Sequence, residues 1–242
     1  MRVIVIADIH ANLIALDSVL ADAGAFDVIW CLGDLVGYGP DPNECVERIC
    51  GMSHLCIPGN HDYAAIGLIS VADFNAEARR AAEWTGSALT EDSRSFLQDL
   101  PLTLTEGDFT LAHGSPRSPI WEYVLTVEQA QANLSAFSTD YCLIGHSHVP
   151  LLFGGPADAG PPPRPWPAPT DPVTLTGRRW LINPGSVGQP RDGDPRAAYL
   201  EIDTESASIM FRRVEYDVIE TQRRIRKCGL PESLAVRLQF GR

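Results

Sequence analysis

Runs of mostly apolar residues alternate along this chain with segments whose apolar residues recur at helical spacing. Short apolar runs bounded by turn residues are typical of strands that are buried on both faces. Five such runs before residue 150 are each followed, two or three residues later, by a residue with an oxygen or nitrogen donor side chain. The runs are Val3–Ile6, Val28–Leu32, Leu55–Ile57, Phe109–Leu111 and Tyr141–Ile144.

Capping residues mark the start of the segments with helical spacing. Asn12 precedes one of them and Gly24 ends it, while Asp41, Thr126 and Asp217 each have Glu or Gln three residues later, as in a capping box. Proline at the first helical position strengthens the prediction after Asp41. The predicted helices cover about 12–24, 41–50, 74–88, 90–100, 126–137 and a final one from 217 onwards.

The second half of the chain changes from strand–helix units to antiparallel strands. A hairpin is predicted over 102–111, and further strands over 173–175, 179–182, 197–202 and 208–214, the last two as an antiparallel pair. The insertion 154–172 holds eight of the nineteen prolines and little that could pack. It is either a passive excursion or a lid, with Trp166 as the deciding residue. We expect one domain over 1–242 that includes this insertion.

Charge and cysteine content narrow the classes of function. The formal charge of −12 opposes broad binding to nucleic acid, whose partners usually present a basic face. The six cysteines form no C-x-x-C pair, which suggests buried thiols in a reducing compartment. No signal peptide and no apolar stretch long enough for a membrane span is recognisable. We therefore expect a cytoplasmic protein with no membrane partner, and the sequence leaves open whether several copies assemble.

The residues that follow the five strands are typical ligands of a metal ion. Five of the six histidines lie just past such strands, and only His54, which we interpret as structural, lies elsewhere. Carboxylate, amide and imidazole donors without a thiolate favour Mn²⁺, with Fe, Zn²⁺, Ni²⁺ and Co²⁺ as alternatives. Seven donors suit two ions about 3.5–4 Å apart that share one carboxylate. They are Asp8, His10, Asp34, Asn60, His113, His146 and His148.

The motifs that carry these donors resemble the five blocks of the calcineurin-like metallophosphoesterase superfamily. In order they are Asp8-x-His10, Gly33-Asp34, Gly59-Asn60-His61-Asp62, His113-Gly114 and Gly145-His146-Ser147-His148. The later loop Asn183-Pro184-Gly185-Ser186 resembles the compact bacterial phosphodiesterase branch. This resemblance implies an α/β fold of four layers, an αββα sandwich in which two mixed β-sheets are flanked by helices.

The resemblance also implies how the ligands divide. Asp8, His10 and His148 would bind the first metal, Asn60, His113 and His146 the second, and Asp34 would bridge them. One departure is that Gly37-Tyr38-Gly39 replaces the Asp-Arg-Gly of the protein-phosphatase and dinucleoside-tetraphosphatase branch, so that the phosphate-binding arginine is missing. Arg191 either replaces it as a substrate-binding residue or is a surface loop residue. Gly37 and Gly39 serve turn geometry or cradle a phosphate.

The chemistry expected of such a centre is hydrolysis of a small phosphoester. Two cations lower the pKa of a bridging water, so that hydroxide is present near neutral pH to attack phosphorus. His61 remains as general acid for the leaving group, with the Asp62 carboxylate expected to hold its other ring nitrogen. Phosphodiesters are the expected substrates; the alternatives are a phosphomonoesterase or nucleotide phosphatase, a non-catalytic metal-binding scaffold, and a nuclease.

The loops 63–75, 115–125 and 154–172 would determine which phosphoester is bound. Within them, Leu68, Ile69, Trp121 and Tyr123 either line a pocket or pack in the core. The sequence does not decide between these two interpretations.

Overall fold

Two mixed sheets form the centre of the molecule. The computed structural model describes residues 1–156, 166–167, 171–175 and 178–242. Its strands are β1 Arg2–Ile6, β2 Val28–Cys31, β3 His54–Cys56, β4 Thr103–Glu106, β5 Phe109–Ala112, β6 Tyr141–Leu143, β7 Leu151–Pro156, β8 Trp166–Pro167, β9 Val173–Thr174, β10 Arg178–Asn183, β11 Ala197–Asp203 and β12 Ser208–Val214.

Helices cover the outer faces of these sheets. They are α1 Leu13–Ala23, α2 Pro42–Cys50, α3 Asn60–Ala65, α4 Ala76–Ala88, α5 Glu91–Asp99, α6 Val127–Asn133, α7 Val218–Lys227 and α8 Glu232–Val236, followed by a 3₁₀ turn Arg237–Phe240. None of the helices in the described part of the chain has the length and apolar character that crossing a bilayer requires.

The strand order confirms the expected pair of mixed sheets. The first sheet has the order β3-β2-β1-β11-β12-β9, and the second has β4-β5-β6-β10-β7-β8. Within the first, β1, β2 and β3 run parallel, and β11 and β12 form the predicted antiparallel pair. Within the second, β5, β6 and β10 run parallel. Each sheet therefore presents a parallel core whose strands all end at the same edge.

The alternation of side chains along β1 shows how the layers are held together. Ile4 and Ile6 pack with α1 and α2, whereas Val3 and Val5 pack between the two sheets with residues such as Leu111. Successive strand residues face opposite sides, so a continuous apolar run supplies two cores at once. Full burial of each such side chain contributes about 1.5–3 kcal/mol, which holds both sheets against each other and against their helices.

Several predicted elements differ from the structure. Helix α3 directly after Gly59, strand β7 and helix α8 were not predicted, so the helix that begins after Asp217 is not the last one. Asp41 precedes α2, but its side chain makes no capping hydrogen bond and instead pairs with Arg224. Of the insertion 154–172, only 154–156, 166–167 and 171–172 are described, so the choice between a passive excursion and a lid lies outside the described residues.

Candidate metal centre

The seven donor side chains predicted from the sequence lie together where the parallel strands of both sheets end. Asp8 and His10 follow β1, Asp34 follows β2, and Asn60 follows β3. In the other sheet, His113 directly follows β5. His146 and His148 follow β6, and all seven side chains are buried, with no more than 4% of any residue exposed. Parallel strands of neighbouring sheets thus deliver seven ligands to one buried place.

A first group of possible metal ligands consists of Asp8, His10 and His148. Their donor atoms all lie within 4.8 Å of one another. His10 Nε2 is 3.1 Å from His148 Nε2, and His148 Nε2 is 3.5 Å from Asp8 Oδ1. Two imidazole nitrogens this close to a carboxylate are the arrangement expected of ligands that share a cation.

A second group consists of Asp34, His113 and His146, with Asn60 beside them. Again the donor atoms of the three ionisable residues lie within 4.8 Å of one another. His113 Nε2 is 3.4 Å from Asp34 Oδ2 and 3.3 Å from Asn60 Oδ1. The second group therefore combines oxygen and nitrogen donors in the same way as the first.

Asp34 joins the two groups through one oxygen atom. Its Oδ2 lies 3.7 Å from His10 Nε2 of the first group and 3.4 Å from His113 Nε2 of the second. Its other oxygen, Oδ1, accepts a hydrogen bond of 2.8 Å from the backbone N–H of His61. That bond fixes the carboxylate so that Oδ2 faces both groups, which is the position a bridging ligand needs.

Backbone carbonyl groups orient three of the histidine rings. In each ring Nδ1 lies within hydrogen-bond distance of a carbonyl oxygen, so that Nδ1 carries a hydrogen and Nε2 faces the centre. The carbonyl partners are Val36 for His10 (3.3 Å), Leu32 for His113 (2.7 Å) and Gln189 for His148 (2.6 Å).

Buried atoms without partners show that the site is complementary to cations. Asp8 Oδ2, Asp34 Oδ2 and His146 Nε2 have no hydrogen-bond partner among the residues that the structure describes. Buried polar atoms are normally paired, and an unpaired one costs about 1–3 kcal/mol. All three atoms belong to the two ligand groups, so bound divalent metal ions would satisfy them, and the donor set fits Mn²⁺, Fe or Zn²⁺.

The ionisation of the histidines separates into two kinds. Burial lowers the pKa of His10 and His148 well below the usual range and that of His146 to about 3, so these rings are neutral ligands at neutral pH. Burial alone would also lower the pKa of His113, but the Asp34 carboxylate beside it raises this pKa to about 9. In the metal-free protein His113 therefore holds a proton that a metal ion must displace.

The backbone at the centre is strained. Eight non-glycine residues in the described part of the chain have positive φ, and seven of them lie here, with φ between 48° and 65°. Each left-handed residue costs about 1–2 kcal/mol, and such strain concentrates at functional sites. The seven are Asp8, His10, Ala11, Asp34, Tyr38, His146 and His148.

Glycines let the ligand-bearing loops approach each other closely. A β-carbon on Gly59 would lie 2.0 Å from Asp34 Oδ1, and one on Gly39 would lie 2.2 Å from the His10 carbonyl oxygen. At Gly37, where φ is +89°, a β-carbon would lie 2.9 Å from the His61 ring. Gly37 and Gly39 thus provide turn geometry and close packing, and a role in cradling a phosphate stays a prediction.

His61 and Asp62 lie at the centre but not in the expected contact. The carboxylate of Asp62 accepts hydrogen bonds from the backbone N–H groups of Gly59 (2.9 Å) and Val36 (3.0 Å), so the expectation that it holds the His61 ring is wrong. His61 Nδ1 has no partner among the described residues, and burial lowers the pKa of this ring to about 4. Its ring packs 4.2 Å from the ring of Tyr38, centroid to centroid.

Arg191 lies beside the first ligand group. Its backbone N–H donates to the His148 carbonyl (3.3 Å), and its guanidinium donates to Gln189 Oε1 (2.9 Å) and lies 5.9 Å from the Tyr38 ring centroid. Burial is the largest cause of the low pKa of His148, and the positive charge of Arg191 is the second largest. Its Nε is buried without a partner in the described structure. Arg191 is thus a loop residue that lies next to the first ligand group, and its role in substrate binding stays a prediction.

Two residues at the site were not predicted to act there. Tyr38 packs against the rings of both His10 (4.7 Å) and His61 (4.2 Å), which also contact each other (5.0 Å). The sequence offered only its unusual place between two glycines as a signal. Asn183 donates from Nδ2 to the Gly145 carbonyl (2.6 Å) and to Ser147 Oγ (3.0 Å), and so supports the loop that carries His146 and His148. From the sequence, its loop was noted as a Gly/Pro-rich segment that ends in an arginine and as part of the family resemblance, but no role was predicted for Asn183.

A cavity of about 300 Å³ opens next to the second ligand group. Trp121 and Tyr123 line it, whereas Leu68 and Ile69 do not, and Ile69 packs instead on a hydrophobic cluster around α4. The complete lining consists of Tyr38, Asn60, His61, Asp73, Phe74, Asn75, Ala78, Trp121, Tyr123 and His146. Ligands, the expected acid and aromatic side chains thus share one open space.

Comparisons with known proteins agree with this geometry. A model of the calcineurin-like phosphoesterase superfamily domain matches residues 1–206. An uncharacterised protein of Methanocaldococcus jannaschii is 38% identical over an alignment of 252 residues, which spans 98% of this chain and 97% of that protein. The crystal structure of a metallophosphoesterase from Sphaerobacter thermophilus superimposes with a TM-score of 0.92 at 45% identity and covers 100% of this chain and 99% of its own. The symmetrical bis(5′-nucleosyl)-tetraphosphatase of Pectobacterium atrosepticum is 25% identical over 147 residues, 58% of this chain and 52% of that enzyme.

Proposed function

We propose that this chain, which belongs to the calcineurin-like phosphoesterase superfamily, hydrolyses phosphodiester bonds with the help of two divalent metal ions. The observation that carries the proposal is the position of Asp34 Oδ2, 3.7 Å from His10 Nε2 in one ligand group and 3.4 Å from His113 Nε2 in the other. A shared carboxylate oxygen between two such groups is what a dinuclear centre requires.

The chain's own residues would hold the ions in two sets. Asp8, His10 and His148 would bind the first and Asn60, His113 and His146 the second, with Asp34 between them. When bound, such ions supply a nucleophile near neutral pH and neutralise the phosphoryl oxygens. Mn²⁺ is the ion that we propose, and the same donors suit Fe, Zn²⁺, Ni²⁺ and Co²⁺.

We assign His61 as the general acid that protonates the leaving alkoxide. Its ring lines the cavity at the centre, and Nδ1 is free of partners in the described structure. Because burial lowers its pKa to about 4, the ring takes up a proton at neutral pH only when a bound phosphoester adds negative charge beside it. His61→Gln should therefore keep both metals and lose about 10²–10⁴-fold in rate on an alkyl ester, but much less on a nitrophenyl ester. Equal loss on both esters would contradict the acid role.

Arg191 is proposed to bind a phosphoryl oxygen of the substrate. Its Nε donor is buried and unpaired in the described structure, and its guanidinium lies beside the first ligand group. A planar guanidinium suits the oxygens of a phosphoryl group, and here it would take the place of the arginine missing from the Gly37-Tyr38-Gly39 loop.

Two arguments bear on which phosphoester is cleaved. The chain carries a formal charge of −12, which opposes the approach of a dianionic monoester more than that of a monoanionic diester. The similarity to a bis(5′-nucleosyl)-tetraphosphatase favours nucleotide hydrolysis as a second candidate, although it covers only 58% of this chain. A small phosphoester is the proposed substrate in both cases.

The proposal is tested by combining metal content with activity. Protein stripped by a chelator is reloaded with Mn²⁺, its metal content is measured, and hydrolysis of bis(4-nitrophenyl) phosphate is compared with that of 4-nitrophenyl phosphate. We expect two ions per chain and faster cleavage of the diester. Asp34→Asn should lose metal and activity, whereas Asp108→Asn, at an exposed turn, serves as the matched control. Two bound ions without cleavage of either ester would favour the non-catalytic scaffold.

A further inference from the structure

The cavity beside the second ligand group is lined by aromatic rings that lead away from the metal centre. The centroid of the Phe74 ring lies 4.9 Å from that of His61 and 5.9 Å from that of Trp121. Tyr123 stacks on His146 at 3.9 Å with an interplanar angle of 25°. These contacts connect a ligand and the proposed acid to Trp121 and Tyr123 at the cavity wall.

Trp121 and Tyr123 are unusually exposed for large aromatic residues. Each keeps 44% of its surface accessible, although both line a cavity of about 300 Å³. Small-molecule sites have about this size and are lined by aromatic side chains with a few polar groups. A planar ligand group stacked here would cover ring surface that is otherwise exposed to water.

Polar side chains at the same cavity favour a heteroaromatic group over a hydrocarbon ring. Asp73, whose carboxylate oxygens are hydrogen-bond acceptors, is among the residues that line the cavity. Asn75 accepts from Ala78 N (2.9 Å) through Oδ1 to cap α4, which leaves its Nδ2 donors outside that bond. An acceptor and a donor near stacking rings match the edge of a nucleobase, whereas a plain aryl ring has no use for either.

We propose that this cavity is a nucleobase subsite, so that the phosphoester cleaved at the metal centre carries a nucleoside. The inference rests on the proposed function and names the substrate class of the same site. The phosphate would lie at the two ligand groups, and the base would stack on Trp121 and Tyr123. The ribose would bridge the distance between the two ligand groups and the stacked base.

The test compares binding of three probes to Mn²⁺-loaded protein by calorimetry. Adenosine 5′-monophosphate contains base, ribose and phosphate, ribose 5-phosphate lacks the base, and phenyl phosphate offers a ring without polar edges. We expect the adenosine nucleotide to bind about tenfold more tightly than ribose 5-phosphate, since a stacked base contributes about this much. Trp121→Leu and Tyr123→Leu should each reduce the ratio towards one. Phe240→Leu is the control, because Phe240 is 52% exposed and is not among the residues that line the cavity.

Three results would overturn the subsite. The first is equal affinity of the unchanged protein for the adenosine nucleotide and for ribose 5-phosphate. An affinity ratio that neither Trp121→Leu nor Tyr123→Leu alters, although melting curves show that both variants are folded, would have the same meaning. The second is phenyl phosphate binding as tightly as the nucleotide, which would make the cavity a general aryl site. The third is a change of molecular mass in solution on Trp121→Leu, which would assign these rings to an interface between copies. Hydrolysis of bis(4-nitrophenyl) phosphate by the same preparation tests the proposed function separately.

Discussion

Replacing Gly59 by alanine tests whether the position of the bridging carboxylate depends on the backbone beneath it. The added β-carbon would lie 2.0 Å from Asp34 Oδ1 and 2.5 Å from Asp34 N. The backbone at Gly59 has φ −104° and ψ −179°, which alanine adopts freely, so the effect is purely steric. Asp34 must move by about 1–1.5 Å to restore van der Waals contact, and that movement breaks its bond with His61 N.

The expected magnitudes follow from these contacts. Overpacking of this kind costs about 1–3 kcal/mol, and loss of a hydrogen bond to a charged group about 1.5–3 kcal/mol. We therefore expect the free energy of unfolding of metal-free protein to fall by about 3 kcal/mol. A bridging ligand displaced by about 1 Å should lower turnover roughly 10²-fold.

Thermal melting with and without Mn²⁺, together with metal analysis, separates the two effects of Gly59→Ala. A ligand that binds only the folded state raises its stability, so weaker metal binding appears as a smaller rise in Tm on adding Mn²⁺. Gly51→Ala is the matched control, because its β-carbon would meet its nearest atom, Glu47 O, at an ordinary 3.4 Å. Two ions bound by Gly59→Ala with unchanged affinity would refute the reasoning.

Three further predictions concern other residues of the centre. Asp62→Asn should lower the free energy of unfolding by about 1–3 kcal/mol, because an amide oxygen can accept from only one of the two N–H groups that the carboxylate binds. A rate loss that depends on the leaving group, like that of His61→Gln, would instead indicate that Asp62 acts through the His61 ring. Burial raises the pKa of Asp8 to about 8, and the Asp34 carboxylate raises that of His113 to about 9, so both ligands must lose a proton to bind a metal. Apparent Mn²⁺ affinity should therefore rise from pH 7 to 9, by up to tenfold per pH unit for each proton released, and calorimetry showing a flat profile would contradict this. Arg191→Gln should raise KM in steady-state assays at unchanged metal content, and an unchanged KM would exclude it from substrate binding.

The ligands were predictable from the sequence because the chain places each of them within five residues of the end of a buried strand. His113 follows Ala112, the last residue of β5, without a single intervening residue. Parallel strands end at a common edge, so apolar runs followed by donors are sufficient to locate a site there. What the sequence could not give is the distance between the sheets, and this distance brings Asp34 Oδ2 within 3.4 Å of His113 Nε2.

The error at Asp62 has a simple physical origin. Adjacency in sequence suggested contact with His61, but Asn60–Ala65 forms a helix of six residues, too short to show a periodic pattern. Neighbouring residues on a helix point in different directions, so Asp62 turns towards Gly59 N and Val36 N while His61 faces the cavity. Tyr38 was missed for a related reason, since its contacts with His10 and His61 arise between loops that are distant in the chain.

Hydrogen bonds between loops hold the strained, ligand-bearing backbone in place before a metal binds. Asp8 and His10 lie two residues apart with positive φ at both, and His146 and His148 repeat this arrangement from the other sheet. Hydrogen bonds between the loops hold the first pair, with Asp8 N donating to Gly33 O (3.0 Å) and His10 N to Asp34 O (2.9 Å). Strain of about 1–2 kcal/mol per residue persists only where surrounding contacts determine the conformation. The fold thus bears the cost of assembling the ligands, so that the binding energy of the ions is not needed to gather them.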